Sequence, residues 1–337
     1  MSKSWFSAIV GLLLMVLGPA VSSAQEAAVR VLSPSRMIQP GGRSRADKVP
    51  VVSSVALSPN GNLLAVAGDD HIVRIFDARN SQLLHRMAAH TDWVRAIAFR
   101  LDGQMLATAG DDRRLLTWEV PLDRRPREFS DKDQVLYTLA FSPDGRTLAC
   151  GGFGDKLWIY DAADGRLLHT LDAPGTDVRA LAFSPDGTQL AAAGRTGTIR
   201  TWNASTGAPS ADLSGHARGV LALAYSPDGA VLASAGQEGK ILLWDAASGK
   251  LLDAELPSQP GRIMALCFCG RGLVATGGSD NVIRLWDLST RRERGQLVGH
   301  TGSVSALVYS PTADVLVSGS FDATVRMWQL GSQESGR

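Results

Sequence analysis

Residues 220–245 read VLALAYSPDGAVLASAGQEGKILLWD, and this stretch decides the fold. An apolar run from Val220 to Tyr225 ends at Ser226-Pro227-Asp228-Gly229, and a second run covers Val231 to Ala235. Gln237-Glu238-Gly239 then turns into a third run ending at Trp244-Asp245. Short apolar runs separated by Pro, Asp and Gly read as antiparallel strands, because Pro presets φ at one turn position and Gly supplies positive φ at another. Ala246-Ala247-Ser248-Gly249 is the next turn, and a fourth strand is predicted near Leu251 to Ala254. Working outward, Trp244 belongs to a series spaced by 42 residues: Phe76, Trp118, Tyr160, Trp202, Trp244, Trp286 and Trp328. Aromatics make up 6% of the chain, so six further hits on a grid fixed by the first arise by chance with a probability on the order of 10⁻⁷. The turn recurs as SPNG at 58–61 and as SPDG at 142–145, 184–187 and 226–229, and in altered form at 100–103, 269–272 and 310–314. The chain is a repeat array, and such an array forms one continuous core when it closes on itself.

A period near 40, a Gly-His pair ahead of the unit as at Gly215-His216, SPDG after the first strand and Trp-Asp at 244/245 and 286/287 resemble the WD-repeat β-propeller family. The resemblance runs from Val51 to Leu330 and implies an all-β, seven-bladed propeller of four-stranded antiparallel blades. It also implies a hydrogen-bonded set of His, Ser or Thr, Asp and Trp within a blade. The matching positions are His90, Thr108, Asp112 and Trp118, then His216, Ser234, Glu238 and Trp244, then His300, Ser318, Asp322 and Trp328. Blade six keeps Thr276, Asp280 and Trp286 with Ser258 at the His position, while blades one, three and four carry Lys48, Lys132 and Pro174 there. A His, a hydroxyl and an Asp could be mistaken for a hydrolytic triad, but recurrence in several blades suits a structural device.

The ends give further expectations. Lys3, an apolar run from Phe6 to Leu17, Gly18-Pro19 and small residues before Ala24 have the order of a signal peptide over residues 1–24. That reading implies a bacterial-type exported, secreted protein of the periplasm or extracellular space, with no integral membrane span after cleavage. Residues 331–337 are a polar tail too short to supply the seventh blade's fourth strand. Residues 25–50 are therefore expected to supply the closing strand, with residues 36–39 favoured over 29–32 and residues 51–330 forming the seven repeats.

A formal charge of +1 argues against nucleic-acid partners, which need a strong basic balance. Cys150, Cys267 and Cys269 form neither a disulfide framework nor a zinc pattern. Nucleophile elbows, zincin helices and phosphate loops are absent from the sequence, so the expectation is no metal, no cofactor and no enzymatic activity. Positions Ser53, Arg95, Tyr137, Arg179, Leu221, Met264 and Ser305 are equivalent and would ring the mouth of the central channel. Trp93, Arg95, Tyr137, Phe153, Arg179 and Phe321 on that face are candidate partner-binding residues, since aromatic and Arg side chains are enriched in binding hot spots. The expected function is a monomeric, noncatalytic scaffold docking a protein or peptide; an exported propeller enzyme or small-ligand sensor using the channel is the alternative.

Overall fold

A computed structural model describes residues 30–41, 50–122, 124–129, 133–253, 256–270 and 272–331. They form 28 strands arranged in seven sheets. The register explains the 42-residue aromatic beat. Each aromatic on a third strand lies opposite an aliphatic residue on the second strand: Phe76 on Leu64, Trp118 on Leu106, Tyr160 on Leu148 and Trp202 on Leu190. The same holds for Trp244 on Leu232, Trp286 on Val274 and Trp328 on Leu316. All fourteen side chains are buried. The clusters they join straddle neighbouring blades, as where Trp118 and Leu106 pack with Val73, Ile75 and Met87 of the preceding blade. Burying a Trp removes about 150–250 Å² from water, worth at most about 4–6 kcal/mol. The aromatics are thus wedges between blades and take no part in a surface stripe.

First strands of successive blades pack side by side, and Val304–Ser310 of blade seven packs on Val52–Leu57 of blade one. The array is therefore a closed ring whose first strands line a central channel. Turns follow the chemistry of the SPDG motif: Ser226 Oγ donates to Asp228 Oδ1 at 2.5 Å, the same oxygen accepts from the Ala230 amide at 3.0 Å, and Gly229 takes φ 75°.

The amino-terminal segment closes the ring with one strand and does more with another. Arg36–Ile38 pairs antiparallel with blade seven, Ile38 opposite Val325, and Ile38 joins Val52, Val55 and Phe76 in the core between the last and first blades. Arg30–Leu32 lies parallel to Arg292–Leu297 on the outer edge of blade six, making that sheet five-stranded. Both candidate pieces are used, on adjacent blades. Blade five departs from the expected four strands: its sheet has three, and the chain after Asp245 makes only a bridge from Leu251 to Trp244. A Leu252 amide bond to the Leu243 carbonyl, 2.8 Å, follows it, with residues 254 and 255 outside the described set. No helix among the described residues is long and apolar enough to cross a membrane. The segment read as a signal peptide lies outside the described residues.

Candidate functional site

Two kinds of polar cluster stand out, one sealed between strands and one open at the channel mouth. In blade two His90 Nδ1 lies 2.8 Å from Asp112 Oδ2, His90 Nε2 lies 2.8 Å from Thr108 Oγ1, and the Trp118 indole donates to that hydroxyl at 3.2 Å. In blade five His216 lies 2.7 Å from both Glu238 Oε1 and Ser234 Oγ, which accepts from Trp244 at 2.8 Å. Blade seven places His300 2.8 Å from Asp322 and 2.7 Å from Ser318, with Trp328 donating to Ser318 at 2.9 Å. A carboxylate only accepts, so Nδ1 carries the imidazole proton and Nε2 accepts from the hydroxyl. Burial pushes His216 and His300 below the ordinary imidazole range, against the opposing pull of Glu238 and Asp322. Asp322 stays below the usual carboxylate value although burial, its largest influence, raises it; bonds from Thr324, the Thr301 amide and His300 outweigh it. The three hydroxyl residues are fully buried. A substrate cannot reach them, so the triad-like order of groups serves packing.

Other blades fill the same space differently. In blade six the position is taken by Gln259, where Ser258 had been expected: Gln259 Nε2 donates to Thr276 Oγ1 at 3.0 Å and its carbonyl accepts from Arg284 at 3.2 Å. The loop entering blade six carries one extra residue, which moves the register by one. Arg284 also bonds Asp280. Blade one has a buried Arg74 in a two-pronged bond to Asp70, at 3.1 and 2.5 Å. Lys48 and Lys132 lie outside the described residues, and the Pro174 carbonyl accepts from Thr196 at 3.2 Å. In blades one and six these bonds give partners to buried groups that would be costly to leave alone, whereas the Pro174–Thr196 contact is exposed.

The open cluster has a backbone cause. Pairing between first and second strands slips between Val52 and Ser54, Val94 and Ala96, Leu136 and Thr138, Val220 and Ala222, Ile263 and Ala265, and Val304 and Ala306. The residue skipped each time is Ser53, Arg95, Tyr137, Leu221, Met264 or Ser305. A β-bulge leaves one residue unpaired and re-aims its side chain, and here it turns six of the seven ring residues toward the channel. The seventh, Arg179, directly precedes Ala180–Phe183 and donates its amide to the Ala193 carbonyl at 2.8 Å. The seven line a cavity of about 220 Å³ together with Phe321.

Three aromatics and two arginines interleave at this mouth. The Arg95 guanidinium lies 3.9 Å from the Trp93 ring centre and 5.7 Å from that of Tyr137. Arg179 lies 4.6 Å from Tyr137 and 4.4 Å from Phe153, and the Tyr137 and Phe153 rings are 5.7 Å apart. Asp111 anchors Arg95 through Nε at 2.8 Å, and Asp177 anchors Arg179 through Nε at 3.0 Å. Phe153 and Phe321 are each 39% exposed. The Asp177 anchor and the bulges had no signal of their own in the sequence; a Gly closes the second strand in five blades, at Gly68, Gly110, Gly152, Gly236 and Gly278.

Among the described residues no group of three or more His, Cys, Asp or Glu could hold a metal ion. None of the three cysteines is in a disulfide; Cys267, half-buried and hydrogen-bonded to the buried Cys269, has its thiol pushed well above the usual range by that bond and by desolvation.

Comparison with known proteins agrees with this architecture. Residues 135–337, about three fifths of the chain, match the family model described as the IFT122 first beta-propeller. Residues 26–100 match that of the anaphase-promoting complex subunit 4 WD40 domain. Among curated relatives, DDB1- and CUL4-associated factor 13 of Dictyostelium discoideum is 41% identical over 61 residues, 18% of this chain and 14% of that protein. Human pre-mRNA-processing factor 19 is 37% identical over 75 residues, 22% of this chain and 15% of its own length. Nuclear distribution protein nudF of Aspergillus oryzae is 43% identical over 68 residues, 19% of this chain and 14% of that protein. The matched stretches thus span about a seventh of these relatives. They overturn the expectation of a bacterial, secreted, periplasmic or extracellular protein, since the relatives are eukaryotic and named for pre-mRNA processing, nuclear distribution and mitochondrial division. That expectation rested on residues 1–24 alone, on Lys3, the apolar run, Gly18-Pro19 and the small residues before Ala24. The seven-sheet ring, the aromatic beat and a family model covering most of the repeats lead to one assignment: the chain belongs to the WD-repeat β-propeller family.

Proposed function

We propose that the protein is a noncatalytic scaffold that docks a protein or peptide on the propeller face bearing the channel mouth. The observation that carries this reading is the interleaved Trp93, Arg95, Tyr137, Arg179 and Phe153 cluster, in which bulges aim Arg95 and Tyr137 while Asp111 and Asp177 anchor the two arginines. Such residues dominate binding energy when they are rigid before the partner arrives. Relatives named as an associated factor and as a subunit of a larger complex support a role in assembly. In this reading residues 51–330 are the docking ring, residues 25–50 close it, residues 331–337 are a polar tail, and the propeller itself is monomeric. The three His sets then serve as struts within blades two, five and seven.

The test is affinity capture with the full chain. A stoichiometric partner retained by the wild type and lost with Trp93→Ala or Arg179→Ala supports the proposal. Retention unchanged in both variants, each with an unaltered melting temperature, refutes docking at this mouth.

A further inference from the structure

The two guanidiniums at the mouth are held on one side and open on the other. Asp111 takes the Nε and Nη2 edge of Arg95, and Asp177 takes Nε of Arg179. The Nη1 edges of both arginines make no hydrogen bond to a described residue. Aromatic faces fix both planes. Across the ring the equivalent positions are Leu221 and Met264, half-buried and apolar. The mouth is therefore divided into a cationic side on blades two to four and an apolar side on blades five and six.

Charge and size narrow what fits. Arg195 lies 3.6 Å from the Asp177 carboxylate that also holds Arg179. Within this ion-paired set three arginines meet two aspartates, an excess of one positive charge that a single carboxylate balances. A dianionic phosphate would be overcharged there and would face Asp111 and Asp177 at close range. The cavity of about 220 Å³ falls below the roughly 300–1,000 Å³ of pockets that enclose a small molecule, and suits an inserted side chain.

We infer that the mouth reads an acidic–apolar peptide segment: one Asp or Glu carboxylate set between Arg95 and Arg179 beside Tyr137, with a neighbouring Leu-sized side chain against Leu221 and Met264. This rests on docking at the channel mouth and adds the chemistry of the docked segment. Charge-assisted bonds from two pre-aimed guanidiniums supply the affinity, and the apolar side fixes the direction in which the peptide lies.

Fluorescence anisotropy on the full chain tests it, using labelled nine-residue peptides of Gly and Ser that carry a central pair: Leu-Glu, Leu-Gln, Ala-Glu or Leu-phosphoserine. The Leu-Glu peptide is expected to bind with Kd below about 1 mM, to weaken with added salt, to exceed Leu-Gln about tenfold through one charged contact, and to exceed Ala-Glu about tenfold through burial of the Leu side chain. Arg179→Gln should lose about tenfold for Leu-Glu with little change for Leu-Gln. Arg179→Lys, which keeps a cation beside Asp177, guards against a folding defect and should also bind more weakly than wild type. Equal affinity for Leu-Glu and Leu-Gln, tighter binding of the phosphoserine peptide, or no Leu-Glu binding overturns the inference. If Leu-Glu fails while partner capture still depends on Arg179, the peptide chemistry falls and docking stands; if capture ignores Arg179 and Trp93, docking itself falls.

Discussion

His300 illustrates how a polar residue can be the firmest part of an apolar blade. Its two nitrogens bond Asp322 and Ser318, Ser318 also accepts from Trp328, and the imidazole side chain has no exposure to solvent. Truncating it takes the acceptor from the buried Ser318 hydroxyl and one bond from Asp322, which keeps those from Thr301 and Thr324, and His300→Ala is expected to cost about 1–3 kcal/mol, read as a shift in urea midpoint. The same burial gives a pH signature. His216 and His300 are held below their ordinary value of 6.5 when folded, because burial disfavours the imidazolium. The unfolded chain takes up the protons first as pH falls, so this stability is complete above about pH 6.5 and is lost as pH drops through the lowered folded values. Asp322, lowered from 3.8, keeps its contribution to still lower pH and loses it on protonation. Urea midpoints at pH 7.5 and 5.5 should differ for the wild type, and the gap should shrink in a His216→Gln, His300→Gln double variant. An unchanged gap would assign the acid sensitivity elsewhere.

At the scale of the blade, strands and turns were legible because their signals are local. Alternating apolar positions and the SPDG turn are written in consecutive residues, and Asp228 and Gly229 act within that turn. The bulge was not legible, because it arises where two chain segments cross. Gly278 marks one crossing: a Cβ built there would sit 1.8 Å from the Arg262 carbonyl oxygen. That close approach sets the slip that turns Met264 into the channel. Gly278→Ala should therefore destabilise by about 1–3 kcal/mol. Gly270→Ala is the control, since its added Cβ would meet only the end of the Tyr309 side chain, the hydroxyl at 3.0 Å and ring carbons at 3.7 Å, and it should stay within about 1 kcal/mol. Equal losses in urea melts of the two would show that backbone crossing is not what the Gly provides. The Asp177 anchor was hidden for the same reason. Asp111 and Asp177 occupy different repeat positions, so no single offset predicts both. Gln259 escaped a fixed offset through one inserted residue.

At the scale of the molecule, the seven aromatic beats made a seven-bladed ring legible, and the seventh blade takes its fourth strand from Arg36–Ile38. What could not be read was the division of labour between residues 30–32 and 36–38, since three-residue strands carry too little pattern to reveal a partner or a direction. Arg36–Ile38 completes blade seven, while Arg30–Leu32 runs parallel along blade six. Closure makes each blade's core depend on its neighbours: Ile38, from one end of the chain, shares a cluster with Met327 from the other and with Phe76 of blade one. Ile38 is 5% exposed and Met37, its neighbour on the same strand, 50%. Ile38→Asp places an unpaired carboxylate between the first and last blades and should cost on the order of 3 kcal/mol, whereas Met37→Asp should stay within about 0.5 kcal/mol. Deleting residues 25–42 goes further, uncovering the edge of Val325–Gln329, and should yield oligomers or aggregate in gel filtration, because an open strand edge recruits another chain. A truncated chain that stays monomeric and melts at the wild-type temperature would mean that the ring holds without its amino-terminal strand. In that case both the cluster around Ile38 and the pairing along Val325–Gln329 would be dispensable to closure.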